Sequence, residues 1–306
     1  MDFFVACRSG DLDLVRGFLE SEESKLTLDM TISRGYAPLH IACLNNHTKL
    51  AKYLMESGAR INVPNDYGNT PFHIVCAEGQ LELVKFMVET DDADVLATND
   101  HGKTPLHLAA ARGHSEVLQY LFESDRLTIN ANAQNAAGNT VFHNTHPKCT
   151  MHHVIDDMTK LSNLYIFLRT RMVSQTNLDD AGTDHANMLI NWAQPHADVQ
   201  NRYGDTVLHV LCRRQSLHKI DWLIGSESAD ATLQNDDGDT VIHEICRRGE
   251  LGTLETLVKH SRVTIDFNIR NSFGETALSI AEKKGYRTIV TFLKKIASTN
   301  AMDVDE

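Results

Sequence analysis

Nowhere does the chain approach the ~18 consecutive apolar residues that a membrane-spanning helix needs. Its opening, MDFFVACRSGDLD, holds neither the basic n-region nor the long apolar run of a secretory signal. Basic side chains are in deficit. There are 29 Lys and Arg against 41 Asp and Glu, a net charge of −12, which argues against general nucleic-acid binding. No G-x-S-x-G, P-loop, dinucleotide fingerprint or H-E-x-x-H occurs. These absences set the expectation: a cytoplasmic or nuclear protein, not an enzyme, with no cofactor, nucleic acid or membrane, and monomeric by itself.

What is present is an ordinary globular composition, 306 residues with 42% apolar and 23% charged, enough for a sizeable core. The charge is uneven. Residues 1–200 hold 15 basic and 25 acidic side chains, a net of −10, whereas residues 201–296 hold 14 and 13, a net of +1. The last ten residues add −3.

A repeat of about 33 residues organises the chain. Gly35 opens GYAPLH, Gly68 GNTPFH, Gly102 GKTPLH, Gly138 GNTVFH, Gly204 GDTVLH, Gly238 GDTVIH and Gly274 GETALS. An Asn stands three positions before most of these glycines (Asn65, Asn99, Asn135, Asn201, Asn235, Asn271), and both residue types tolerate tight turns. A Thr follows two positions later, placed to cap a helix, and Pro71 and Pro105 then fall in the first helical turn. Asp2 and Asp11 are placed to cap the helices of the first block. The unit reads as turn, short helix, reversal, second helix. No such unit buries both helix faces alone, so neighbours must stack.

The blocks resemble ankyrin repeats, and GKTPLHLAAARGHSEVLQYL, from Gly102 to Leu121, matches their pattern best. The resemblance implies an all-α solenoid of about eight to nine repeats with hairpin-like turns, over residues 1–296. The first repeat would occupy about residues 3–30, turns would fall at the seven glycines above and at Gly182, and an acidic disordered tail would fill residues 297–306. Residues 144–184 depart from the pattern, since 66 residues separate Gly138 from Gly204. They read either as an expanded, irregular repeat or as an inserted helical segment. In function the resemblance implies an intracellular protein-binding module of scaffold or masking type.

Candidate functional residues follow from positions that break the repeat. Cys43, Cys76, Cys212 and Cys246 recur three residues after the motif His, in a slot for a small side chain, so they read as packing and not as disulfides. His40, His73, His107, His143, His209 and His243 recur at one slot. That recurrence speaks against catalysis, and the resemblance implies hydrogen bonds to turn backbone. His143, His146, Cys149, His152 and His153 form a cluster of zinc-type ligands, and they open the alternative of a metal- or redox-responsive protein. Pro147 inside the run and the lack of a standard zinc spacing count against that alternative. Asn62 resembles a turn asparagine that is hydroxylated in some ankyrin proteins.

The sharpest expectation is a ladder of basic pairs, Arg213–Arg214, Arg247–Arg248 and Lys283–Lys284, at positions that would line the partner-binding face. With the turn-tip residues Arg202, Tyr203 and Phe273 it would receive an acidic segment of a protein partner. The competing reading has these cations solvated, or paired with Asp205, Asp236, Asp237, Asp239 and Glu275. A secondary surface is expected at the early turn tips, with Tyr36, Tyr67, Asn69, His101 and Lys103.

Overall fold

In the computed structural model the described residues are 3–21, 28–90, 93–124, 130–144, 198–215, 217, 220, 223, 229–260 and 265–302. They hold thirteen α-helices. The described residues form two compact units, one comprising those up to Ala136 with Asn144, the other Ala137–His143 and those from 198 onward.

The first unit carries four helix pairs: α1 (Phe3–Ser9) with α2 (Leu12–Glu20), α3 (Pro38–Leu44) with α4 (Thr48–Glu56), α5 (Pro71–Glu78) with α6 (Leu81–Glu89), and α7 (Pro105–Arg112) with α8 (Ser115–Glu123). First helices stack on first helices, α1 on α3 on α5 on α7, and α6 lies between α4 and α8. The second unit repeats the scheme. There α9 (Val207–Arg213), α10 (Val241–Arg248) and α12 (Ala277–Lys284) stack, with α11 (Leu251–His260) behind α10 and α13 (Arg287–Met302) behind α12. The fourth motif begins like the others but gives a short 3-10 turn at Phe142–Asn144. The rest of that block, including Gly182, lies outside the described residues.

The expected start signals hold. Pro38, Pro71 and Pro105 are first helical residues, where no N–H is needed. Asp11 caps α2 by accepting from the Leu14 amide at 3.0 Å, whereas Asp2 lies outside the described residues. The cysteine slot is a packing slot: Cys7, Cys43, Cys76, Cys212 and Cys246 are free thiols and buried. Burial pushes the Cys43, Cys76 and Cys212 thiols well up and that of Cys246 to about 12, so none is a thiolate at neutral pH.

One boundary moves. The final helix runs on to Met302, six residues into the segment expected to be a disordered tail. The run ASTNAM after Ile296 contains neither Pro nor Gly to stop it.

The turn glycines are where chain geometry is tightest. Gly204 has φ +69°, and an added Cβ would lie 2.6 Å from the amide nitrogen of Asp236 in the next turn. That amide donates to the Tyr203 carbonyl at 3.1 Å, so the two turns touch through backbone. Gly204→Ala is therefore expected to destabilise the protein by roughly 1–3 kcal/mol, from left-handed strain and a displaced backbone contact. Gly17, exposed inside α2 with open space at its Cβ, is the control. Gly17→Ala should stabilise by about 0.5–1 kcal/mol. Urea unfolding of both variants checks the contrast, and equal shifts would contradict it.

Candidate functional site

The residues that join repeats have to be separated from those left over for a partner. The recurrent histidines belong to the first group. The backbone N–H three residues before each motif His donates to its Nδ1, from Ala37 to His40 at 3.1 Å and from Thr in the others, as from Thr70 to His73 at 3.2 Å and from Thr206 to His209 at 3.2 Å. An Nδ1 that accepts must be unprotonated, so the proton sits on Nε2. Nε2 then donates to a carbonyl in the next repeat: His40 to Asn69 (3.1 Å), His73 to Lys103 (3.0 Å), His143 to Asp205 (3.2 Å), His209 to Asp239 (3.0 Å) and His243 to Glu275 (3.1 Å). All five rings are buried, and burial lowers their proton affinity below that of free histidine. In GETALS the slot holds Ser279, whose hydroxyl accepts from the Thr276 amide at 2.9 Å.

The motif asparagines form a second row. Asn99, Asn201, Asn235 and Asn271 each accept from two amides of their own turn through Oδ1. Through Nδ2 they donate backwards, to the side chain that follows the previous turn glycine: Asn69 (2.9 Å), Asn139 (3.0 Å), Asp205 (3.0 Å) and Asp239 (2.8 Å). At Asn65 the corresponding residue is Tyr36, which has no acceptor there, and the Asn65 amide nitrogen is buried without a partner. Sequence reasoning missed this row. Its signal was the Asn or Asp directly after the glycine, at Asn69, Asn139, Asp205 and Asp239.

That row supplies acids to the expected basic ladder. Arg213 makes a bidentate pair with Asp205 (2.9 and 3.1 Å) and also reaches Glu244 (2.7 Å). Arg247 pairs with Asp239 at 2.5 Å, and Lys283 with Glu275 at 2.9 Å. Each cation lies eight residues after its acid. Asp205 and Asp239 are buried, 2% and 1% exposed. Burial alone would raise their pKa values, but hydrogen bonds from Arg213 and Asn235, and from Arg247 and Asn271, outweigh it and hold both carboxyls below the usual range. Arg213 and Arg247 are thereby tied to buried carboxylates and lie only partly in solvent, whereas Lys283, exposed, pairs with Glu275 at the surface. Arg214, Arg248 and Lys284 are exposed. Arg248 and Lys284 have no carboxylate partner among the described residues.

Other expected site residues fall as follows. Arg202, Tyr203 and Phe273 are exposed at the turns. Tyr36 packs edge-on against His40, Asn69 belongs to the asparagine row, and the Lys103 carbonyl receives His73. Tyr67 and His101 are exposed. Asn62 is exposed, and its Oδ1 accepts from the Asp94 amide at 2.9 Å. His143 spends both ring nitrogens on Thr140 and Asp205, so it is not free to hold a metal. His146, Cys149, His152 and His153 lie outside the described residues. Among the described residues no group of three or more metal-type ligands comes together, and no helix is long and apolar enough to cross a membrane.

Stacked helix pairs joined turn to turn define the class, and comparison with known proteins agrees. A family model described as ankyrin repeats matches in three copies, over residues 3–99, 62–135 and 208–303, and the chain belongs to that family. It is similar to the scaffold protein ILK of Homo sapiens, 38% identical over 64 residues, which are 21% of this chain and 14% of ILK. The Mus musculus protein matches to the same extent. It is also similar to palmitoyltransferase AKR1 of Kluyveromyces lactis, 35% identical over 60 residues, 20% of this chain and 8% of that protein. The matched region is thus a small part of each relative. Repeats of this family mediate protein–protein interaction.

The pairing separates two arginines on one helix pair series. Arg213→Glu leaves Asp205 and Glu244 facing a third carboxylate. It should cost roughly 2–3 kcal/mol, less than a fully buried pair because 37% of the Arg213 side chain remains in water. Arg248→Glu should stay within ~0.5 kcal/mol of wild type. Chemical denaturation of the two variants checks this, and equal losses would contradict the assignment.

Proposed function

We propose that the chain is a non-catalytic scaffold or masking module that holds a protein partner against the first-helix ends and turn tips of its second unit. Three features support the reading: the family, the scaffold relative, and a set of cations left over after internal pairing. The observation that carries it is that Arg248 and Lys284 stand exposed on consecutive repeats with no carboxylate partner among the described residues. Arg214 is exposed at the equivalent position one repeat earlier. Stacked helices lie about 8–10 Å apart, within the ~8–10 Å screening length, so charges on successive repeats act together on an acidic partner segment. Their effect falls more on the association rate than on the lifetime of the complex. Arg213 and Arg247 contribute by holding the turns and helices in register.

The test is crosslink-coupled affinity capture from the native cell, comparing wild type with Arg248→Glu/Lys284→Glu. The double variant should melt like wild type and lose the partner whose crosslinks map to the second unit, and salt should weaken wild-type capture. If the folded double variant retains every partner, the acidic-segment reading fails. The early turns with Tyr36, Tyr67, Asn69, His101 and Lys103 then become the surface to test.

A further inference from the structure

The tips of the second unit carry a different chemistry from its helix ends. At the position just before the turn glycine, three consecutive repeats place Tyr203, Asp237 and Phe273. Tyr203 is 67% exposed and Phe273 71%, the two most exposed large hydrophobic side chains among the described residues. Aromatic residues are enriched where partners dock.

A cleft of about 610 Å³ opens between the second and third of these turns, lined by Asp237, Asp239, Arg247, Phe273, Glu275 and Lys283. Two cations and three carboxylates face it, and the pairing pattern decides which are available. Arg247 is taken by Asp239 and Lys283 by Glu275. That leaves the Asp237 carboxylate, exposed and without a side-chain partner among the described residues, beside the Phe273 ring. The neighbouring Asp236 is exposed as well. An unpaired carboxylate next to an exposed aromatic face is complementary to a guanidinium, which pairs with the one and stacks on the other. An acidic segment would meet like charge here.

We infer that the Asp237–Phe273 cleft takes an arginine side chain of a protein partner. Tyr203 would offer a second stacking face two repeats away. This deepens the function proposed above by naming what the turn-tip half of the same surface receives. A repeat width of about 8–10 Å corresponds to three residues of extended chain at about 3.3 Å each. The fitting segment is therefore extended, with arginines at every third position along the row of tips. It is the opposite charge from that expected of the basic ladder.

The probe is a fluorescent peptide of three Arg-Gly-Gly units, titrated with the full chain and followed by anisotropy, beside equal peptides carrying Gln or Glu in place of Arg. The Arg peptide should bind more tightly than the Gln peptide, whereas any binding of the Glu peptide should be lost in Arg248→Glu/Lys284→Glu. Phe273→Ala and Tyr203→Ala should each weaken the Arg peptide by about two- to fivefold, the range of an exposed cation–π contact. Asp237→Asn should weaken it and flatten its salt dependence. All three side chains are exposed, so melting curves should match wild type. Arg248→Glu/Lys284→Glu should leave Arg-peptide binding intact, which separates failure here from failure of the acidic-segment reading. Equal binding of Arg and Gln peptides, or an Arg peptide indifferent to Asp237→Asn and Phe273→Ala together, overturns the proposal.

Discussion

Both units of this structure depend on one hydrogen-bonded rung: a backbone amide, of threonine in all but the first motif, that donates to a buried imidazole, and the imidazole that donates to a carbonyl of the next repeat. The rung closes a helix N-terminus, whose first amides have no helical partner, and joins two repeats with the same ring. It works only with neutral histidine in one tautomer. A proton on Nδ1 would face the threonine amide that now donates to it. The unfolded chain takes up protons near the ordinary value of 6.5, while burial lets the folded rings do so only at lower pH. Between those values the unfolded state binds more protons, so stability rises with pH across that window. The contribution is complete above pH 6.5 and is lost as pH falls through the folded values.

In the second unit the same geometry has been elaborated with charge. The acceptor after the turn glycine is a carboxylate in Asp205 and Asp239, where the first unit and the fourth turn use Asn69 and Asn139. A carboxylate with so little exposure needs a cation, and Arg213 and Arg247, eight residues on, supply it. A row of basic residues that reads along the sequence as a binding surface is thereby halved. Arg213 and Arg247 belong to the architecture, and Lys283 stays on the surface with the second cation of each pair. The second unit acquires bands, with exposed cations at the helix ends, a row of ion pairs in the middle, and exposed aromatics beside exposed carboxylates at the tips.

Much of this was legible in the residues. The 33-residue period, the Thr and Pro at helix starts and the small-residue cysteine slot are local consequences of side-chain chemistry, and each recurs often enough to be recognised. The recurrence of histidine at one slot pointed to the structural hydrogen bonds that the rings make. What was hidden is relational. That Arg213 is engaged cannot be read from Arg213, because its partners are the turn acid eight residues earlier and Glu244 in the next repeat. The i to i+8 pairing of Asp205 with Arg213, Asp239 with Arg247 and Glu275 with Lys283 was visible as a co-occurrence. It acquired meaning only once the turn was seen to fold back over the helix end. The last helix runs past its expected end because the run ASTNAM after Ile296 holds no helix breaker.

The rung is tested most directly by NMR of histidine-labelled full-length protein, titrated from about pH 8 to about pH 5 and read for imidazole tautomer and charge. His40, His73, His143, His209 and His243 should remain neutral with the proton on Nε2 through pH 6.5, and they should protonate only as the fold itself gives way. Rings that carry the proton on Nδ1, or that titrate near 6.5 in a protein still folded, would contradict the account.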